Sequence, residues 1–572
     1  MVLKIDQAEK FWQKSYDKHV KKTLKGSYLN EDLGAILVEA MEKYSEKVGF
    51  YFMERHFTYK EILEYSRRFA SFLQKEGIKK GDVVAINLPN CPQYLFAVYG
   101  SYIAGAICTG VSPLLSEVET QFQLNNCDAK VVVTMDVIHE KRFSKIIDKI
   151  PKVEIFIPTN ISDYMGFSKF KVFLGKLIKK IPKGKAIEYP GRVVVPFLDV
   201  MNTPIDVNPV EIKPNEDLCL IQYTGGTTGK PKGTEIRHCN LAYNMIQFEN
   251  WLNRKKGTDI VLSAFPYFHI AGFFIGLYLT YIGAAHVIIP NPRDTDHLID
   301  EIIDKKPTVF GNVPTLYLMI QKNPRSKEIP LETLENINLY VSGAAPFPEE
   351  AVKEFEKQFH TQNKFVEVYG MTESALLITA NPVDGQKKIG KVGLPLQDTE
   401  VKLVNVETGN RVPIGEAGEI CVKGPQITKS YYNNPDATAE TYVNGWLHTG
   451  DVGVFDEDGY LKIVDRIKDM ISVSGFKVFS VHVEEILTKH PNIQIIAIIG
   501  VPDPERPGSE IVKAMIQLKS GIKATDKVKE SIKQFAKKHL AKYEVPKIWE
   551  FTEELPTTAV GKVLKRAIRK DD

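Results

Sequence analysis

The stretch YTGGTTGKPKGT, Tyr223 to Thr234, decides how the rest of the chain is read. The apolar run Leu218 to Tyr223 leads into it as a buried strand would. Glycines without side chains then let a backbone wrap closely around an anion. Backbone amides, threonine hydroxyls and the ammoniums of Lys230 and Lys232 supply donors for phosphate oxygens. The GxxxxGK[ST] loop of nucleoside triphosphatases does not fit, because Pro231 follows Lys230 and Thr224 stands where its first glycine belongs. Pro231 and Gly233 also argue against a helix starting directly after the loop. A phosphate-binding loop of another kind is the expectation, with a plain glycine-rich hairpin as the alternative.

A chain of 572 residues is too long for one core and suggests roughly three to four domains or subdomains. Hydrophobic residues make up 43% and charged residues 25%, as in a globular protein. With 74 basic against 71 acidic residues the chain has no general attraction for nucleic acid. Its six cysteines form no CxxC pair and read as reduced, and the charged N-terminus lacks a signal-peptide core, so a cytoplasmic location is expected. Residues 260–289 contain no Asp, Glu, Lys or Arg, but Pro266, His269, Gly272, Gly276, Gly283 and His286 punctuate them. A buried strand, turn, helix and second strand explain this run better than a membrane span.

Outward from the loop, strand-like and helical patterns alternate. EDLGAILVEAMEKYSEK and QYLFAVYGSYIAGA read as helices, GDVVAINLPN and AKVVVTMD as buried strands, which gives a layered α/β frame with parallel strands. NLYVSGAAPFPEEAVKEFEKQF reads as strand, loop and helix, with Val352, Phe355 and Phe359 on one face. From Gly390 to about Val464, short strands and turns suggest a β-rich unit. Residues 167–185, FSKFKVFLGKLIKKIPKGK, form a basic amphipathic stretch. Two readings compete there: peripheral contact with an anionic membrane, or a surface insertion whose apolar side packs on its own domain. The second is the expectation.

Five motifs in order, spread over about residues 30–565, resemble the adenylate-forming superfamily of acyl-CoA synthetases, luciferases and peptide-synthetase adenylation domains. YTGGTTG, the basic insertion before it and DRIKDMISVSGFK make the resemblance greatest to fatty acyl-CoA synthetases, although Gly225 stands where many members carry Ser or Thr. The fold class implied is α/β: a large N-terminal domain over 1–467, with α/β subdomains at about 1–200 and 201–389 and a β-rich subdomain at 390–467. A small mobile α+β C-terminal domain over 468–572 follows.

The resemblance assigns the ATP phosphates to Thr224, Gly225, Gly226, Thr227, Thr228 and Lys232. It assigns adenine to the slim loop Gly343, Ala344 and Ala345 and to Tyr369, with Gly370 and Thr372 beside it. Mg²⁺ falls to Thr224 and Glu373, since magnesium takes hard oxygen ligands. Asp451 would hold the ribose and Arg466 would contact the nucleotide. His269 would line the acyl pocket, and Ser474 and Gly475 the coenzyme A channel. Lys468 would be the pivot between domains, and Lys562, in PTTAVGK, the mobile catalytic lysine.

The implied reaction joins a fatty acid, or another carboxylic acid, to coenzyme A through an acyl-adenylate, releasing AMP and pyrophosphate. An aryl or short-chain acid is the alternative substrate, and a catalytically inactive lipid-binding scaffold the alternative of another class. Luciferase-like oxidation would share the adenylate. A peptide-synthetase domain would be followed by a carrier domain, and only ten residues follow Lys562. Oligomeric state is left open, a homodimer included.

Overall fold

Apolar runs without alternation form strands buried on both faces, and these set the frame. In the computed structural model, the described residues are 10–224, 231–473, 476–504, 506, 509–556, 563 and 565–570. A seven-stranded sheet runs, in spatial order, Val193–Val194, Ile155–Thr159, Ala129–Met135, Val83–Asn87, Ile107–Gly110, Leu218–Thr224 and Lys232–Arg237. All neighbours are parallel except the last pair. Every residue of Val83–Asn87 and Ile107–Gly110 is buried, as parallel strands covered on both faces require.

A second, nine-stranded sheet orders Leu394–Pro395, Leu376–Ala380, Phe365–Met371, Leu339–Ser342, Val309–Asn312, Ile260–Ser263, Ala285–Ile288, Val48–Phe52 and Arg55–Thr58. Its interior pairs are parallel and its edges antiparallel. Sheet membership interleaves across residue 200: the hairpin over 48–58 joins the second sheet, while the strands over 218–237 join the first. One hydrophobic core, from Trp12 to Leu461, draws on strands of both sheets and on the β-rich strands beyond residue 400.

The charge-free run resolves into strand Ile260–Ser263, helix Ile270–Ile282 and strand Ala285–Ile288. No helix among the described residues is long and apolar enough to cross a membrane. The helix ends at Gly283, whose φ of 68° takes the left-handed turn that glycine makes without strain. The other helices expected from sequence form as Leu33–Lys43, Pro92–Ile103 and Glu349–Phe359. Asp32 caps the first by accepting from Gly34 N.

The β-rich unit is a five-stranded antiparallel sheet containing Glu400–Val404, Gly418–Lys423, Tyr442–Val443, Trp446–Phe455 and Leu461–Arg466. Beyond it, strands Ile493–Pro502, Glu510–Leu518 and Ile548–Thr552 make a separate sheet flanked by helices Ser480–Leu487 and Asp526–His539. The chain thus forms a large α/β portion, a β-rich sheet and a small α+β portion.

One expectation is overturned. Within residues 167–185, Ile181 is buried and Phe167 packs against the core, but the apolar helical face expected to pack on its own domain does not: Phe170, Phe173, Leu174, Leu177 and Ile178 are all exposed.

Candidate active site

The glycine-rich stretch lies between two antiparallel strands. Leu218–Thr224 pairs with Lys232–Arg237 in a register that ends at Thr224 opposite Lys232. Gly225, Gly226, Thr227 and Thr228 lie outside the described residues, but the base that carries them is well defined. Tyr223 donates its hydroxyl to Asn126 Oδ1 at 2.5 Å. On the other flank Tyr432 N donates to Gly233 O at 2.7 Å and Glu235 N to Ser430 O at 3.1 Å. The segment 430–432 therefore extends the hairpin by a further backbone partner, with Thr234 bridged to Tyr431.

Tyr431 carries the hairpin's connection to Glu373. Its hydroxyl donates to Glu373 Oε1 at 2.6 Å, and Lys232 Nζ stands 5.1 Å from the centre of its ring. Thr428 adds two bonds to the Glu373 carbonyl, from its amide at 2.9 Å and its hydroxyl at 3.0 Å. Burial pushes the Glu373 carboxyl above its ordinary pKa, opposed by the Tyr431 hydrogen bond and the Lys232 charge. Thr224 and Glu373 carry hydroxyl and carboxylate oxygens, the hard donor types that suit Mg²⁺, and the Glu373 carboxylate is buried.

Sequence reasoning missed Tyr431. Its signal was the tyrosine pair ahead of the turn residues Asn433, Asn434 and Pro435.

Glu373 sits on the short turn Thr372–Ser374, directly after strand Phe365–Met371. Four residues earlier, Tyr369 reaches a second cluster. Its hydroxyl donates to Asp451 Oδ2 at 2.8 Å, while Arg466 Nε lies 3.0 Å from Asp451 Oδ1. Asp451 and Arg466 face each other across adjacent antiparallel strands, which fixes the pair by register. Burial, and then the Asp451 charge, hold the Tyr369 phenol well above its usual pKa, so it serves as the donor. Each carboxylate oxygen of Asp451 keeps a further lone pair for another hydroxyl.

The loop after strand Leu339–Ser342 approaches the same strand as Tyr369. An added Cβ at Gly343 would lie 2.8 Å from Val368 Cγ2, so any other residue would have to push that side chain aside. Ala344 holds φ at 69°, in the left-handed region that an L-residue enters at a cost. With Ala345 the loop presents little side-chain bulk beside Tyr369 and Gly370.

His269 caps helix Ile270–Ile282, its Nδ1 accepting from Ala271 N at 3.3 Å. Its neighbour Phe268 accepts from Gln222 Nε2 at 3.0 Å, which ties this turn to the strand leading to Thr224.

Lys468 lies on the 3-10 turn Ile467–Asp469 that follows Arg466. Although the residue is exposed, desolvation of its ammonium and the neighbouring Arg466 charge push its pKa down to about 8. Asp469 pairs with Arg569 at 3.1 Å. Lys562, Ser474 and Gly475 lie outside the described residues, so the structure places neither the catalytic-lysine nor the coenzyme A assignments.

The described candidates mostly gather where parallel strands end, the place at which open α/β sheets bind nucleotides. Fold and polar clusters together define a layered α/β protein with a small C-terminal portion joined to its β-rich sheet through Ser480–Asp465 and Glu485–Lys462. The sequence profile of the AMP-binding enzyme family matches residues 37–432, and that of the AMP-binding enzyme C-terminal domain matches 482–562. The chain belongs to the AMP-binding enzyme family.

Among curated relatives, a long-chain-fatty-acid–CoA ligase of Bacillus subtilis (strain 168) is 35% identical over 574 residues, covering 99% of both chains. One from Escherichia coli O6:H1 is 36% identical, covering 95% of this chain and 96% of its own. Among solved structures, the anthranilate CoA ligase AuaEII in complex with anthranoyl-AMP superposes with a TM-score of 0.83 at 25% identity, covering 95% of this chain and 97% of that one.

Proposed function

We propose that this chain is an AMP-forming ligase that activates a fatty acid as its acyl-adenylate and transfers the acyl group to coenzyme A. One observation carries the adenylation chemistry: Tyr369 and Glu373, on one strand and turn, touch respectively the Asp451–Arg466 pair and the Tyr431–Lys232 base of the glycine-rich hairpin. The first pair suits a nucleoside and the second its phosphates, four residues apart. The fatty acid is taken from the names of the relatives that align along almost the whole chain.

In this reading Thr224 to Thr228 and Lys232 hold the β- and γ-phosphates, while Gly343, Ala344 and Ala345 form a slim wall against adenine. Tyr369 stacks on the base, with Gly370 and Thr372 beside it. Asp451 accepts ribose hydroxyls, and Arg466, paired with it at 3.0 Å, holds that carboxylate in place and contacts the nucleotide. Mg²⁺ held through Glu373 and Thr224 would neutralise phosphate charge. The acid's carboxylate, directed past His269, attacks the α-phosphorus and pyrophosphate departs with its electron pair. Lys562 stabilises the charge that develops there.

The small C-terminal portion then turns about Lys468, withdrawing Lys562 and bringing Ser474 and Gly475 toward the coenzyme A thiol. Domain limits of 1–467 and 468–572 are supported by the cores. The three clusters of the large portion end at Leu461, and the two small ones begin at Ile471. A cytoplasmic location is supported by six free, buried cysteines.

The test is pyrophosphate exchange into ATP over a panel of carboxylic acids, followed by thioester formation with coenzyme A. Acid-dependent exchange strongest with long-chain acids is the expected result. Exchange only with aryl acids would overturn the choice of acid, and none with any acid would overturn the activity. Each buried methylene adds about 0.8 kcal/mol, so neighbouring chain lengths should differ only severalfold.

A further inference from the structure

Residues 167–187 contain seven lysines and no acid, in a chain whose charges otherwise almost balance. Within them, helix Lys169–Leu177 is capped by Ser168, whose hydroxyl accepts from Lys171 N at 3.2 Å. At helical spacing Phe170, Phe173, Leu174 and Leu177 share one face, continued by Ile178. That face looks outward: the five residues are 74%, 64%, 43%, 66% and 54% exposed. The inner side carries Gly175, where an added Cβ would lie 2.7 Å from Ile181 Cδ1. The helix has turned its smallest residue to the protein and its largest to solvent, the reverse of an ordinary surface helix.

The platform beneath it is tied down. Lys171 Nζ meets Glu54 Oε1 at 2.5 Å and stands 4.0 Å from the centre of the Phe167 ring. Ile181 is buried, and Pro182 O accepts from Asn160 Nδ2 at 2.9 Å. At the far end Ile187 O bonds to His139 Nε2 at 2.8 Å.

We propose that this helix docks the protein on an anionic lipid bilayer, lying in the interface plane. Nine residues are far too few to span a bilayer but suit burial at the boundary between headgroups and acyl chains. Phe170, Phe173, Leu174 and Leu177 would enter that boundary. The exposed Lys169, Lys179, Lys180, Lys183 and Lys185 would lie at the level of the lipid phosphates. Charge chooses this occupant over a second copy of the chain, because a symmetric contact through this face would set these five exposed lysines beside it against the same five. The proposal stands on this surface alone and is independent of which acid the adenylation site activates.

Co-sedimentation of the full chain with vesicles tests it, using phosphatidylcholine alone and phosphatidylcholine mixed with phosphatidylglycerol. Binding to the mixed vesicles that weakens with added salt is expected. The triple variant Phe170→Ser/Phe173→Ser/Leu177→Ser should lose about tenfold or more of that binding. Lys179→Gln/Lys180→Gln should reduce the preference for anionic vesicles. These side chains are exposed, so thermal melting and pyrophosphate exchange with a water-soluble acid should stay at the parent level. Equal binding to both vesicle types, or undiminished binding by the triple variant, would overturn the proposal. So would a parent dimer that the triple variant converts to monomer, which would give the face to a second copy. Sedimentation needs no turnover, so its failure is separable from failure of the ligase reading.

Discussion

The Tyr431 hydroxyl donates to Glu373 Oε1 at 2.6 Å across 58 residues of chain, while Tyr431 is bridged through its backbone to Thr234 of the hairpin strand. Burial raises the Glu373 pKa and the Tyr431 bond lowers it, so removing the bond moves it further up. In the proposed adenylation Glu373 acts ionised. Tyr431→Phe should therefore shift the acidic limb of the exchange–pH profile to higher pH. It should also weaken exchange at neutral pH by about 1–2 kcal/mol, on the scale of a lost hydrogen bond to a charged group. An unmoved limb would remove Tyr431 from the machinery.

Lys468 offers a different pH signature. Its ammonium is disfavoured in the folded chain, with a pKa near 8 against an ordinary 10.5. Between those values the unfolded chain binds more protons than the folded one, so stability rises with pH across that window. Lys468→Met abolishes the penalty. The variant should melt above the parent below pH 8, and the gap should close as pH approaches 10.5. Mass spectrometry after brief exposure to an amine-acylating reagent gives a second reading: Lys468 should label faster than the surface lysines of 169–185. Slower labelling would contradict the lowered pKa.

The strand before the hinge and the C-terminal helix Lys565–Lys570 share a half-buried polar junction. Lys565 Nζ lies 2.7 Å from both Glu484 Oε1 and Ser480 Oγ, and Ile498 N donates to the same Glu484 oxygen at 2.7 Å. Ser480 in turn donates its hydroxyl to Asp465 Oδ1 at 3.0 Å, just before Arg466. Lys565→Met leaves the half-buried Glu484 without its cation, and should destabilise the C-terminal portion by about 1–2 kcal/mol in chemical denaturation. The double variant Lys565→Met/Glu484→Leu should recover most of that. If the single variant melts like the parent, the junction does not stabilise this portion.

These particulars show which parts of the molecule a sequence discloses. Val83–Asn87 and Ala129–Met135 were legible because strands buried on both faces leave continuous apolar runs. Glu373 and Asp451 were legible through short motifs. Tyr431 was not, since its partner is remote and a tyrosine before a turn has no periodic mark. The helix at 169–177 marks a different limit. Periodicity shows that Phe170, Phe173, Leu174 and Leu177 share a face, but not which way it points. The small Gly175 facing Ile181 decides that, and only the folded chain displays it.

Lys562 follows Gly561 in the PxxxxGK pattern and lies outside the described residues, yet the chain on both sides of it is held. Leu555 before it and Ile568 after it are buried together with Ile499 and Val501. Lys565 and Arg569 add the pairs to Glu484 and Asp469. Both flanks thus belong to the C-terminal portion, the body that the proposed rotation about Lys468 would carry. Lys562→Ala should therefore cost the adenylation half-reaction roughly 3 kcal/mol or more, the scale of one lost transition-state donor. Thioester formation from a supplied acyl-adenylate should stay near the parent rate. Lys468→Pro should do the reverse, slowing the second half-reaction more than the first. The two variants, assayed in both half-reactions, separate donation from rotation. Equal losses everywhere would mean that both residues serve only to hold the fold.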